Sequence, residues 1–330
     1  MSTQDIKSKA LQLGYTACSI IPSITFDEYK QYLDERILSF PESKALYERM
    51  YKFVTPPESA KSIIVCVLGY SKFKTPDSLN GVIGRYYLPS IHMHQSKADF
   101  EEYLTTSGIN VIKCRIPDRW AAAKAGLGKF GRNTFIFSSE HGSYIRIDTW
   151  VVDKELEYDA ISTNTFLSEC NDNCQKCVRS CPTKALSGSS SMDRGKCIAH
   201  LSYYAKDILD ESTRSQMGQW LYGCDICQDV CPLNRNKLTE AEEIPQLSEL
   251  EEYLKLENIL EMDEYTYINI IYPRFGSAGK DGLWLWKSNA LRSMINSGDS
   301  VYFPFIRQYC NHTDLRLMKI AESGCNKLNI

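Results

Sequence analysis

The residues CNDNCQKCVRSCP at 170–182 and GCDICQDVCPLN at 223–234 decide the fold of this chain. Each stretch ends a run of closely spaced cysteines in Cys-Pro, and Cys197 lies between the two stretches. This pattern is typical of a chain that folds around two [4Fe-4S] clusters, because each run gives its first thiolates to one cluster and its last cysteine to the other. Proline after that last cysteine ends the loop and fixes the direction of the chain.

The cysteines of this region divide into two sets of four. We expect the first cysteine set to bind one cluster, and it comprises Cys170, Cys174, Cys177 and Cys231. We expect the second cysteine set to bind the other cluster, and it comprises Cys181, Cys197, Cys224 and Cys227. The gap after Cys170 is one residue longer than in the commonest ferredoxin run, and a loop of that length still reaches the iron.

Zinc and disulfides are the alternatives for so many cysteines. Zinc prefers two separated cysteine pairs with about four ligands in total. A disulfide framework suits a short secreted chain, whereas this chain has 330 residues and begins MSTQDIKSKALQL, without the apolar stretch of a signal peptide. Both alternatives are weaker than two clusters. The remaining cysteines are expected to be small buried residues, and they are Cys18, Cys66, Cys114, Cys310 and Cys325.

Composition narrows the protein class. The formal net charge is −3, so the chain as a whole has no basic footprint for nucleic acid, although a local basic patch is left open. No run of roughly 18 apolar residues exists, which predicts that nothing spans a membrane. Because [4Fe-4S] clusters are oxygen-sensitive and assembled inside cells, we expect a cytosolic, cytoplasmic protein.

The chain divides into three predicted regions. Residues 1–155 alternate helical and extended patterns and predict an α/β (α+β) domain, in which the apolar run at 62–70 is a buried strand. Residues 134–152 predict a β-hairpin. Residues 156–240 predict a ferredoxin-like domain with two [4Fe-4S] clusters. Residues 241–330 predict a short α-helical, HEAT-like region.

A double-cluster domain that follows a large α/β domain predicts an electron-transfer path, in which the clusters pass electrons to a further redox centre or to a substrate. The segment AGLGKFGRN at 125–133 is rich in glycine but follows a helical pattern rather than a strand. A dinucleotide-binding turn needs the order strand, glycines, helix, so nicotinamide or flavin binding is not predicted. The glycines require either a close approach of the backbone to another group or a tight turn.

Several short motifs together resemble one protein family. The segment at 223–234 resembles GCDxCQxVCPWN, the segment at 125–133 resembles an AGLG-x-x-GKN loop, and CIAHL at 197–201 resembles CISYL. Arg85-Tyr86 and the turn Gly142-Ser143 also match. With these motifs the sequence resembles the epoxyqueuosine reductase family, which is related to the corrinoid reductive dehalogenases.

The resemblance implies a second cofactor. Members of that family bind cobalamin with its base off the cobalt, between the α/β domain and the cluster domain, and an external low-potential electron donor of the ferredoxin or flavodoxin type supplies the clusters. The resemblance implies that the corrinoid is held by motif residues, namely Arg119, Gly126, Gly128, Gly131, Arg132, Asn133, Gly142 and Ser143.

One departure from the family concerns the proton donor. The family has an aspartate 13 residues before the AGLG loop, where this chain has Ile112. Isoleucine cannot donate a proton, so another group must serve, and we expect His94 first, then Tyr86 and Asp118. The structural alternatives are a solvated loop for His94, a core position for Tyr86, and for Asp118 a helix cap paired with Arg119.

These observations favour an iron–sulfur, cobalamin-dependent oxidoreductase that acts on a small or unknown substrate. Two alternatives stay open: an epoxyqueuosine reductase that acts on tRNA, and a non-catalytic electron-transfer or corrinoid-handling protein. Acidic runs at 240–243 and 249–252 would repel phosphate, and with Ile112 and the short C-terminal region they disfavour tRNA.

Overall fold

The computed structural model describes residues 2–167, 170, 173–188 and 190–330. The strands are β1 (Ala17–Pro22), β2 (Ser62–Gly69), β3 (Val111–Ile112), β4 (Lys129–Phe130), β5 (Ile136–Phe137) and β6 (Ile145–Val152). The helices are α1 (Thr3–Gln12), α2 (Asp27–Ser39), α3 (Lys44–Glu48), α4 (Ser90–Thr106), α5 (Asp118–Lys124), α6 (Lys176–Ser180), α7 (Ile198–Tyr204), α8 (Glu211–Gln216), α9 (Ile226–Asp229), α10 (Leu247–Glu251), α11 (Leu256–Glu261), α12 (Glu264–Thr266), α13 (Leu283–Ser297), α14 (Phe303–Tyr309) and α15 (Leu315–Leu328).

A four-stranded sheet in the order β1-β2-β6-β3 organises the N-terminal region. Every pair in it is antiparallel. The central strand β2 is buried along its whole length, which confirms the strand predicted from its β-branched, apolar run. The architecture is therefore a mixed α and β fold with an antiparallel sheet.

The two faces of the sheet carry separate apolar cores. Ile64, Cys66 and Leu68 of β2 point to one face, where they pack with helices α1 and α4. The alternate residues of β2 point to the opposite face, against α2 and α5. The three consecutive alanines at 121–123 allow α5 to lie close to this second face.

The C-terminal helices extend the first core. Trp286 of α13, Ile306 of α14 and Ile320 of α15 belong to the same apolar core as one face of the sheet. The three regions predicted from the sequence are thus packed on one another. Their boundaries, the ferredoxin-like character of the second region and the HEAT-like character of the third stay predictions. No helix in the described ranges is long and apolar enough to cross a membrane.

Two local predictions were wrong. Strand β6 does not form a hairpin with the residues before it, because β5 pairs with β4 and β6 joins the main sheet beside β2. Only an isolated bridge joins Ser138 to Gly142 in the described structure of this turn. His94 does not lie in a loop, since α4 begins at Ser90 and holds His94 within its first two turns.

Candidate iron–sulfur centres and active site

The first cysteine set comes together around one recess. Cys170, Cys174, Cys177 and Cys231 line it, with Arg132 and Lys176 beside them. Cys177 is the most buried of these thiols, and burial, followed by the neighbouring Cys231, raises its pKa to about 11. A thiol of this kind stays protonated near neutral pH unless a metal binds it.

The second cysteine set lies deeper. Burial raises the pKa of Cys224 and of Cys227 well above the usual range, and the nearby Cys197 adds to both shifts. Cys181 lies close enough to Cys197 to contribute to the raised pKa of Cys197. Cys227 further interacts with Cys177 of the first set, so the two sets lie side by side.

Two short helices produce this arrangement. Helix α6 carries Cys177 and helix α9 carries Cys227, and the two helices pack against each other. Cys231 follows α9 and reaches the first set, while Cys181 follows α6 and lies with the second. This exchange of last cysteines is the one that two-cluster ferredoxins use.

The donor geometry also bears on zinc. Within the described residues, no three histidine, cysteine or carboxylate side chains converge closely enough to hold a single metal ion. Tetrahedral zinc needs its thiolates at about 2.3 Å from one centre. Four thiolates that each bind a different iron of one cluster are spread more widely than the ligands of one zinc ion.

The glycines of the 125–133 loop serve packing within the protein. A Cβ atom on Gly128 would lie 2.4 Å from Ile136, and one on Gly131 would lie 2.5 Å from the ring of Phe137. Gly126 has a φ of +71° and ends α5 with a left-handed residue. These glycines let β4 and β5 pair closely, and a corrinoid contact at this loop stays a prediction.

The polar residues of the same segments hold the cluster loops. Arg132 donates to the carbonyl of Cys170 at 3.2 Å and to that of Gly188. Asn133 donates to the carbonyl of Cys227 at 3.0 Å. The amide of Ser143 donates to Asn234 Oδ1 at 2.9 Å. The residues predicted to bind a corrinoid therefore tie the α/β region to both cysteine sets.

Substitution of Gly142 tests the contact between the α/β region and the cysteine sets. Its φ is +57°, and a Cβ atom there would lie 2.3 Å from Asn234 Oδ1, the atom that accepts from Ser143. We expect Gly142→Ala to destabilise the protein by more than the about 1–2 kcal/mol that a left-handed alanine costs. Gly126→Ala is the matched control, since its φ is also positive but nothing lies within 4 Å. Anaerobic denaturant unfolding measures the free energy of unfolding of both variants. Equal losses of stability would contradict close packing of Gly142 against Asn234.

A charged pair lies on strand β6, whose other residues are uncharged. Arg146 and Asp148 are both buried, and Arg146 Nε donates to Asp148 Oδ2 at 2.9 Å. Tyr15 donates to the same oxygen at 2.9 Å, and Lys97 lies 3.5 Å from the other carboxylate oxygen. One nitrogen of Arg146, Nη1, is buried without a partner among the described residues. Sequence reasoning missed this pair, although charged residues two apart in an apolar strand signal one shared face.

The three predicted proton donors lie within electrostatic range of this pair. Asp148 influences the titration of Tyr86, His94 and Asp118. Thr149 Oγ1 donates to Asp118 Oδ1 at 2.6 Å. We call the place the β6 recess and define it by Tyr86, His94, Asp118, Arg146 and Asp148.

The structure does not support the interpretation of Asp118 as a helix cap. The residue that precedes α5 is Pro117, and no side chain caps the helix. Asp118 is the first residue of α5, and Arg119 donates to the carbonyl of Thr134 at 2.7 Å rather than to Asp118. The predicted helix cap paired with Arg119 was therefore wrong, because the Asp118 carboxylate turns toward Thr149 on β6.

The local environment shifts the pKa values of the candidate proton donors in different directions. Burial raises the pKa of Asp118, whereas burial followed by the positive charge of Arg146 lowers the pKa of His94. Burial also raises the pKa of Tyr86. Asp118 and His94 remain accessible to solvent, although neighbouring protein atoms partly desolvate them. A carboxyl with a raised pKa donates near neutral pH more readily than a histidine with a lowered one.

Ile112 has a structural role. It is the second residue of β3, pairs with Val151 of β6 and packs against the second core. The position expected to match the family's acid is thus part of the sheet in this chain.

The β6 recess adjoins the second cysteine set. Arg85, next to Tyr86 in sequence, donates its amide to Asp225 Oδ2 at 2.7 Å, and Asp225 lies between two cysteines of that set. Gly84 packs so closely that a Cβ atom would lie 3.3 Å from the amide nitrogen of Cys224. The segment that carries Tyr86 therefore joins the recess to the deeper cysteine set.

Comparison with known proteins supports the double-cluster region and the fold. Residues 169–234 match a family described as the 4Fe-4S double cluster binding domain, so the cysteine region binds two [4Fe-4S] clusters. Among solved structures, the chain is similar to an epoxyqueuosine reductase from Bacillus subtilis whose catalytic loop is swung out of the active site, with a TM-score of 0.78 at 24% identity over 98% of this chain and 90% of that one. An epoxyqueuosine reductase crystallised with a modified tRNA-Tyr stem loop gives a TM-score of 0.77 at 24% identity over 99% and 90%. These two likenesses show the fold.

Sequence comparison shows the family. The epoxyqueuosine reductase of Prochlorococcus marinus is 30% identical over 310 residues, which cover 87% of this chain and 95% of the relative. That of Staphylococcus aureus is 31% identical over 265 residues, which cover 73% and 67%. The chain is an oxidoreductase and belongs to the epoxyqueuosine reductase family.

Proposed function

We propose that this chain reduces the epoxide of epoxyqueuosine in tRNA to the corresponding alkene. The observation that carries the proposal is the 30% identity to an epoxyqueuosine reductase across 95% of that relative's length. This supports the tRNA alternative over the small or unknown substrate expected from the sequence, for which no comparison speaks. The reaction takes up two electrons and two protons, breaks both carbon–oxygen bonds of the epoxide and releases the oxygen as water.

The acidic runs oppose tRNA less than the sequence suggested. Glu242 pairs with Lys72 at 3.0 Å, and Glu243 lies 3.5 Å from Lys74. In the second run, Glu252 pairs with Lys255 at 2.5 Å. Carboxylates neutralised by neighbouring lysines repel phosphate less than free ones do.

The positions of the two cysteine sets support a direction for the electrons. The first set opens into a recess beside Lys176, which is exposed. The second set is deeper and adjoins the β6 recess through Asp225. Electrons from an external low-potential donor of the ferredoxin or flavodoxin type would enter at the first cluster and leave from the second toward the substrate.

The β6 recess fits a corrinoid in one respect. Arg146 Nη1 is a buried donor without a partner among the described residues, and the amide side chains around a corrin ring offer carbonyl acceptors to such a group. When bound, cobalamin supplies low-potential reduction at carbon. Arg146 is the residue that would hold it.

The proton for the reaction would come from a side chain of the protein, Asp118. Thr149 occupies Asp118 Oδ1, so Oδ2 is the atom that carries a proton toward the substrate. Reduction of an epoxide builds negative charge on its oxygen, and a positioned acid removes that charge as it forms. Asp118 would perform the part for which Ile112 is unsuited.

The direct assay uses an epoxyqueuosine-containing tRNA stem loop. Anaerobic, cluster-replete protein with cobalamin and a chemical reductant is expected to convert it at rates on the order of 1 s⁻¹. Nucleoside digestion with mass spectrometry measures the loss of one oxygen atom, and omission of cobalamin is the control. Turnover of the free nucleoside but not of the stem loop would refute the tRNA substrate in favour of a small one.

A further inference from the structure

Three arginines from distant parts of the chain face one group of aromatic residues. Arg36 of α2 places its guanidinium carbon 3.8 Å from the ring centre of Tyr32. Arg119 of α5 and Arg194 of the cluster region join Arg36 around the phenol of Tyr29, whose titration all three influence. We call Arg36, Arg119 and Arg194 the arginine triad.

Contacts to Met50 and Tyr47 fix this geometry. Arg194 Nη1 lies 3.9 Å from Met50 Sδ, and the same sulfur accepts a hydrogen bond from Tyr29 at 3.3 Å. The hydroxyl of Tyr47 accepts from the amide of Arg194 at 2.7 Å, and the ring of Tyr47 lies 5.8 Å from Arg36. The triad is therefore part of a packed wall between the α/β region and the cluster region.

The triad has no anionic partner among the described residues. Three neighbouring carboxylates are committed elsewhere: Glu28 pairs with Lys124 at 2.6 Å, Asp34 with Lys30 at 3.2 Å, and Asp193 accepts from the amide of Gly195 at 3.0 Å. Thr149 holds Asp118, the carboxylate next to Arg119.

A group of cations without an anionic partner destabilises a packed, partly buried region of a protein. Arg36 is only 9% exposed, and its Nε has no hydrogen-bond partner in the described structure. Like charges that share one partly buried place repel each other, and a buried cation normally requires an anion. The arrangement becomes favourable when an anion enters from the open side, where Arg119 is accessible to solvent.

We propose that Arg36, Arg119 and Arg194 form a subsite for a phosphodiester anion. Guanidinium groups match phosphate oxygens with paired hydrogen bonds, which makes arginine the usual choice for this ligand. Tyr29 adds a hydroxyl that now donates to sulfur, a weak acceptor that an anionic oxygen would replace. The nearby Asp118 places the bound phosphodiester beside the β6 recess.

Two ligands of the proposed reaction carry such a group. One is the nucleotide tail of cobalamin, and the other is the backbone of the tRNA stem loop. The source of the phosphodiester rests on the proposed function, whereas the anion subsite rests on the charges and contacts of the triad.

Binding measurements on cluster-replete protein separate these sources. We expect Arg119→Gln and Arg194→Gln to weaken binding of the ligand that carries the phosphodiester by about tenfold or more. The probes are cobalamin, cobinamide (which has the ring but lacks the phosphodiester and base) and the stem loop. Arg49→Gln is the matched control, because Arg49 is exposed nearby and outside the triad.

Each outcome has one meaning. Weaker cobalamin binding with unchanged cobinamide binding assigns the subsite to the corrinoid tail, and weaker stem-loop binding alone assigns it to the tRNA backbone. Unchanged binding of both ligands, or no binding of either to the unaltered protein, overturns the subsite. Arg119→Lys should restore part of the affinity, and iron content verifies that each variant is folded. If the variants lose affinity but the stem loop is never reduced, the subsite stands and the proposed function fails.

Discussion

Cys231→Ala is expected to remove one of the two clusters and to stop turnover. Intact anaerobic protein should hold about eight irons and eight sulfides per chain, and the variant about four of each. The reason is that Cys231 lies 54 residues beyond Cys177 in sequence but lines the same recess, so it completes the first cysteine set. Without the first cluster, the electron path from the surface to the deeper set is interrupted.

Iron and sulfide analysis with electron paramagnetic resonance checks this expectation. Cys181→Ala should remove the other cluster and leave a different signal, because Cys181 lies with the second set. Cys114→Ala is the control, since this cysteine packs at the edge of the second core, away from both sets. Stoichiometric zinc in the intact protein, or eight irons in Cys231→Ala, would refute the assignment.

Asp118→Asn should lower kcat by about 10²–10⁴ while iron content and stem-loop binding stay unchanged. Asparagine keeps the shape of the side chain and its contact with Thr149 but has no proton to give. His94→Gln is the comparison, and we expect a smaller effect because the lowered pKa of His94 leaves it mostly neutral. A large loss in His94→Gln with none in Asp118→Asn would restore histidine as the donor.

The same group predicts a pH dependence. Turnover requires protonated Asp118, so kcat should fall as pH rises through the folded-state pKa, which burial places above the usual 3.8. Thr149 lowers that pKa by its hydrogen bond, and Thr149→Val should therefore move the falling limb to higher pH. Because the folded-state pKa is raised, the contribution of Asp118 to stability is complete below its unfolded-state pKa and is lost as pH rises.

Short-range patterns in the sequence predicted part of this molecule well. The run at 62–70 predicted a buried strand because apolar β-branched residues suffice to define one, and the structure confirms it. The spacing of the cysteines predicted the cluster domain, which the family comparison confirms. Both features are signalled by short sequence motifs, even though the two cysteine runs lie far apart in the chain.

Long-range features were less accessible. The pairing of β6 with β2 depends on residues about 80 positions apart, so the local turn at 140–143 suggested a hairpin that does not form. The sequence indicated the Arg146–Asp148 pair only weakly. The arrangement of strands in the sheet is needed to see that both residues face the helix that carries His94. The arginine triad could not be predicted, since its members come from three separate regions.

The hydrogen bonds from Arg132 and Asn133 to the carbonyls of Cys170 and Cys227 have a kinetic consequence. Electron tunnelling slows exponentially with distance, and these bonds tie the backbone at both cluster loops to the region that carries the recess. The gap that each electron crosses is then set by the scaffold and does not depend on the swing of a mobile domain. On the proposed electron path, substitutions in the recess are expected to change which molecule is reduced without changing the rate of electron delivery.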